Sequence, residues 1–157
     1  MIKIAPTLAL LPLLALLPGS VPAADHHADK LVATIVSLAN EMARNATDMH
    51  PERNAHLIPD TNNVVYVSFG YPIRGKDYLK TLAESYSKRT SQSLVWGKWE
   101  VTPICDNAAL FTGWATMTEV SKVGEKKMQH AIFTEVFAKT ATGWKRVIAQ
   151  KSLLDEG

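Results

Sequence analysis

The chain has 157 residues, 46% of them hydrophobic, and a formal net charge of +2. That length suits one domain with a single core, and the balanced charge lacks the basic footprint of a nucleic-acid binder. The only cysteine, Cys105, excludes an intramolecular disulfide; it is expected to be a small buried hydrophobe, the alternative being a pairing between chains.

Residues 1–23, "MIKIAPTLALLPLLALLPGSVPA", read as a secretory signal peptide. Lys3 gives a positive start, Ala9 to Leu17 a short apolar core broken by Pro12, and Val21-Pro22-Ala23 a small-residue cleavage site. The core is too short and too rich in proline to span a bilayer, which takes about 20 apolar residues. The expected mature domain is residues 24–157, exported to the periplasm or beyond, with no membrane attachment after cleavage. Cleavage after Ala23 exposes Ala24-Asp25-His26. A free amine, two backbone amides and a third-position imidazole can hold Cu(II) or Ni(II) in a square plane, so these three residues form a candidate N-terminal metal site. No other cofactor is expected.

Residues 28–46 carry Leu31, Ile35, Leu38 and Met42 as one apolar stripe and predict a helix. A short second helix follows, between Pro51 and Pro59. "NNVVYVSFG" predicts a strand. "GYPIRGKDY", Gly70 to Tyr78, has Gly70, Gly75 and Lys76 at the spacing of a phosphate-binding loop. Asp77 stands where a hydroxyl is needed, Pro72 removes a backbone donor, and no strand–helix alternation follows. The segment therefore predicts a turn that launches a helix, with unusual backbone angles at Gly70 and Gly75 and Asp77 as a cap, and no nucleotide site. "KDYLKTLAESYSKR" is that third helix, with Tyr78, Leu82, Ser85 and Tyr86 near one face.

Four long β-rich segments complete the chain: "SLVWGKWEVTPI", "NAALFTGWATMTEV", "KKMQHAIFTEVFAKT" and "GWKRVIAQKSLL". The breaks "CDN", "SKVGE" and "TATG" are turn chemistry, so the strands form an antiparallel meander. Helices on one face of a curved antiparallel sheet make an α+β domain.

"FGYPIRGKDYL", "NAALFTGWATM" and "FTEVFAKTATGWKRVIAQKS" together resemble the nuclear-transport-factor-2-like superfamily, closest to its SnoaL-like branch. The resemblance rests on the glycine-proline turn, on Ala109 and Gly113, and on Thr134, Val136, Gly143, Trp144, Val147 and Gln150; it covers about residues 28–154. It implies a cystatin-like cone, a strongly bent antiparallel sheet wrapped around about three helices and open to a pocket, commonly as a homodimer through the sheet. Isomerase-type relatives need a carboxylate base near the end of the first strand. Here Ser68 occupies that region and no acid lies between Asn62 and Lys76, which argues against that chemistry and, more broadly, leans away from an enzyme.

Strand phase groups Thr112, Trp114 and Thr116 with Phe133, Glu135 and Phe137, continued by Ile148, Gln150 and Ser152. Phe111, Ala115, Met117, Ile132, Val136, Val147 and Ala149 form the other face, against the helices. The first face is expected to be a dimer interface, or else a pocket lining. Trp96 and Trp99 fall on opposite sides unless Gly97 marks a bulge, and either could join Tyr66 at the cone mouth. The pocket or interface candidates are thus Tyr66, Trp96, Trp114, Phe133 and Gln150. Glu135 or, alternatively, His130 is the candidate acid–base group of a lyase or isomerase. For Glu135 the competing reading is an ion pair with Arg146 or Lys139. The leading expectation is an exported homodimer that binds a small apolar molecule, with no nucleic-acid or nucleotide partner; a structural or accessory dimer is the remaining alternative.

Overall fold

A computed structural model describes residues 24–154; the expected signal peptide and cleavage site lie outside the described residues. Helix α1 spans Ala24–Thr47, a 3-10 helix Pro51–Leu57, and α2 Gly75–Tyr86. The strands are β1 (Val65–Ser68), β2 (Tyr71–Arg74), β3 (Arg89–Cys105), β4 (Ala108–Ser121), β5 (Lys126–Thr140) and β6 (Gly143–Leu153). They form one sheet in the order β2-β1-β6-β5-β4-β3. The meander β3 to β6 is antiparallel, as its short turns require, but β1 runs parallel to β6, so the sheet is mixed. Both edge strands carry a proline, Pro72 in β2 and Pro103 in β3, and β3 shifts register three times along its length. These features discourage pairing with a further strand.

The concave face of the sheet packs on α1. Leu31, Ile35 and Ala39 meet Ala109, Phe111 and Phe137 in the main core, and Leu38 and Met42 extend the helix stripe. A second cluster of Ile58, Tyr66 and Ala149 is covered by Tyr78 and Leu79 of α2. Asn45 donates to Asn54 at 2.8 Å inside this packing, which ties α1 to the 3-10 helix.

The glycine-rich segment differs from its expected form. Residues 71–74 are a strand, β2, paired with β1 through a tight turn at Phe69 and Gly70, whose φ angles are 52° and 83°. Gly75 has no unusual φ; its requirement is space. A Cβ there would lie 2.7 Å from the Pro59 carbonyl oxygen and 3.0 Å from that of Thr61. Its N–H donates to the Val64 carbonyl at 2.9 Å. Asp77 lies in the first turn of α2 rather than at its cap, which is Arg74. Gly75→Ala should therefore cost about 1–3 kcal/mol by forcing backbone apart, measured by urea denaturation; Gly70→Ala, with nothing within 4 Å of its Cβ, should cost only the strain of its positive φ, about 1 kcal/mol.

Strand phase also differs in β5. Phe111 pairs with Glu135, Gly113 with Phe133 and Ala109 with Phe137, so these three β5 residues face the concave side. Ile132 and Val136, expected in the core, face outward with Trp114 and Leu110. A bulge between Val136 and Phe137 shifts the β6 register. Cys105 is exposed at the end of the edge strand β3, not buried as expected, because it pairs with Ala108 on the outer face while the neighbouring Ala109 faces the core. No helix among the described residues is long and apolar enough to cross a membrane.

Candidate functional site

The cone encloses a cavity of about 260 Å³ between α2, the end of α1 and the concave sheet face. The α2 face named above, Tyr78, Leu82, Ser85 and Tyr86, forms one wall. Trp96 and Phe133 form the opposite wall. Their rings meet edge to face at 5.2 Å and 86°, and Trp96 meets Phe111 at 5.2 Å and 69°. This geometry depends on a missing side chain: a Cβ on Gly113 would stand 2.6 Å from the Trp96 ring. Gly97 is a bulge, which puts Trp96 opposite Ala115 and Trp99 opposite Gly113, on the same side of the sheet. Trp99 reaches an open trough beside α1 instead of the cavity.

The charged groups in the cavity come in two pairs and one remainder. Arg146 donates to Glu135 at 2.8 Å, and both side chains are at most 4% exposed. The guanidinium lies 4.6 Å from the centres of both the Tyr66 and Tyr78 rings, which touch each other at 4.6 Å. Burial opposes its charge, but Tyr78 and Glu135 outweigh burial and hold its pKa above the ordinary value. Tyr66 is buried beneath it and donates to the Arg146 carbonyl at 2.5 Å; burial pushes its phenol up to about 12. The second pair is Arg89 and Glu119, at 3.0 Å. Arg89 also donates to Ser85 at 3.0 Å and stands over the Tyr86 ring. Gln92 links this pair to α1 by donating to the Ala46 carbonyl.

Lys151 is the remainder, and the sequence does not single it out. It follows Ala149 by two residues on β6 and pairs in register with both Phe133 and Ser68. Its ammonium lies 4.0 Å from the centre of the Phe69 ring, and it has no ion pair among the described residues. Burial lowers its pKa to about 8, with Glu119 partly opposing and Arg89 and Arg146 reinforcing the shift. Folding then penalises the charged amine. The penalty is complete below pH 8 and fades as pH rises toward 10.5, where the unfolded chain loses the same proton. Stability should rise with pH across that window. Lys151→Met should flatten the rise and stabilise the protein below pH 8, measured as chemical-denaturation midpoints over pH 7 to 10.

The other expected residues fall in different places. Ser68 lines the cavity beside Lys151. Trp114 lies on the outer face with the Lys98 ammonium 4.7 Å from its ring. Gln150 pairs opposite Thr134, on the outer face, and borders only a recess of about 40 Å³ that adjoins the cavity. His130 is also outside, with Nδ1 3.2 Å from the Thr116 hydroxyl. Glu135 thus makes the ion pair with Arg146, and His130 stands outside the cone. Ala24 and Asp25 belong to the backbone of α1, and His26 is exposed; a square-planar metal site there needs the free amine that only cleavage creates.

No family model matches the chain, and no curated protein matches its sequence. Solved structures do match. A nuclear-transport-factor-2-like superfamily protein of Salmonella enterica superposes with a TM-score of 0.74 at 17% identity, over 83% of this chain and 96% of its own. A proposed scytalone dehydratase of Novosphingobium aromaticivorans gives 0.75 at 13% identity, over 83% and 89%. An uncharacterised Caulobacter vibrioides protein with a cystatin-like fold gives 0.68 at 15% identity, over 80% and 90%. The chain thus has the nuclear-transport-factor-2-like, cystatin-like α+β fold that its strand motifs resemble. At these identities the likeness shows the fold alone, and folds of this kind carry unrelated functions.

Proposed function

We propose that this nuclear-transport-factor-2-like chain is an exported domain that holds a small, mostly apolar molecule inside its cone and dimerises through the outer face of its sheet. The observation that carries the reading is the cavity itself: aromatic walls from Trp96, Phe133, Tyr78 and Tyr86 around a few placed polar groups, the usual make-up of a small-molecule site. Its 260 Å³ lies just below the common range for ligand pockets, roughly 300 Å³ upward, so the ligand is small. Both cavity carboxylates, Glu119 and Glu135, are held in ion pairs, an arrangement that favours holding a ligand over proton transfer. Export rests on the composition of residues 1–23. Dimerisation is supported by the apolar side chains on the outer face, where Val95, Met128 and Ile148 are more than half exposed beside Trp114.

The binding reading is tested by titrating the mature domain with a neutral apolar probe, p-cresol, by calorimetry. Saturable binding at one site per chain is expected, weakened at least about tenfold in Leu82→Trp, which fills the cavity from α2 while the circular dichroism stays unchanged. Equal binding by Leu82→Trp would sink it, as would silence toward p-cresol and toward small apolar acids and amides alike.

A further inference from the structure

The polar groups of the cavity have a one-sided chemistry. Its cations are Arg89, Arg146 and Lys151 and its anions Glu119 and Glu135; with each carboxylate matched to an arginine, Lys151 is the excess positive charge. The hydrogen-bonding inventory has the same sign. Among the described residues, the buried side-chain atoms without a partner are Trp96 Nε1 and Arg146 Nε and Nη2, and all three are donors. Both residues line the cavity, and the Arg146 side chain is 3% exposed. Buried donors without acceptors are costly, and a half-buried cation without a counter-charge is costly too. A ligand that carries one negative charge answers the excess at Lys151, which lines the cavity; the unpartnered donors are too enclosed for a ligand atom to touch and set only the sign of the surroundings. A cationic ligand would add to the excess charge, and a neutral hydrocarbon would leave it as it is.

The placement is specific. Lys151 stands on β6 directly across from Phe133, and Phe133 packs against Trp96. An apolar body against the Trp96–Phe133 wall brings a terminal group toward Lys151. We infer that the cone binds a small apolar monocarboxylate, with Lys151 as its charge partner and the Trp96–Phe133 wall as the seat of its hydrocarbon body. This inference rests on the cavity being a ligand site and adds the class of ligand. A carboxylate fits this site better than a phosphate monoester, whose second charge would find no second free cation among the described residues.

The test compares phenylacetate with phenylacetamide, which has the same shape without the charge, by calorimetry on the mature domain. Phenylacetate should bind at least about tenfold more tightly. In Lys151→Met the preference should vanish or reverse while phenylacetamide affinity stays within about threefold, and Lys151→Arg should restore part of it. Equal affinities in the parent protein, or an undiminished preference in Lys151→Met, would overturn the inference and leave the binding reading standing. No binding of either compound, nor of p-cresol, would take down both. Added phenylacetate should also raise the melting temperature of the parent more than that of Lys151→Met; an equal rise in both would count against Lys151 as the partner.

Discussion

Glu135→Ala should remove about 3–5 kcal/mol of folding stability, because it leaves the Arg146 guanidinium buried without a counter-charge. Both partners are almost wholly enclosed, at 3% and 4% side-chain exposure, so water cannot take over the lost contact. The two tyrosine rings at 4.6 Å offer some compensation by cation–π attraction, about 2 kcal/mol or more for a desolvated contact, and the loss should fall toward the lower end for that reason. The double variant Glu135→Leu/Arg146→Met should recover most of the loss, since replacing both members of a buried pair with apolar groups is often neutral. Urea denaturation of the parent, Glu135→Leu, Arg146→Met and the double variant closes a double-mutant cycle. A single-variant loss under about 1 kcal/mol would mean the pair is hydrated, and the cavity's electrostatics would need redrawing.

Phe137→Ala should cost a similar amount, about 3–5 kcal/mol, as a large-to-small change in a closed core. Phe137 is fully buried against α1, among Ile35, Ala39 and Phe111. Its neighbour Val136 points to the other face, opposite Leu110, and Val136→Ala should cost no more than about 1 kcal/mol. The contrast between adjacent residues is the sharpest check on which side of β5 faces the helices. Equal losses at both positions would mean the register is wrong.

That register is also where the sequence stops being legible. The elements themselves can be read from it: the α1 stripe of Leu31 and Ile35, and four strands separated by turn chemistry, appear where expected. The faces of β5 cannot, because both sides are apolar. Ile132 and Val136 alternate with Phe133 and Phe137, so a two-residue period marks the strand without saying which face is inside. The answer comes from pairing, and the bulge at Val136/Phe137 is invisible to periodicity. Once β5 turns over, Glu135 moves from a mixed outer face into the cone, onto Arg146. Lys151 is a different case. It follows Ala149 by two residues and so shares its face by period, but a lysine near the end of the last strand gives no sign of a cavity, and its pairing with Phe133 and Ser68 shows what it meets there. The glycine-rich segment divides similarly. Pro72 and Asp77 suffice to exclude phosphate, but the β1–β2 hairpin and the crowding of Gly75 by the Pro59 and Thr61 carbonyls depend on a loop distant from any local pattern.

The central claim is that the cone holds a small molecule, and it is tested most directly by mass spectrometry of the protein purified from its native host under non-denaturing conditions. The expected result is a one-to-one adduct, released on denaturation and identified as a small apolar acid, reduced in the Leu82→Trp variant. A bare protein mass, together with no thermal shift across a panel of small apolar acids and their amides, would contradict the claim.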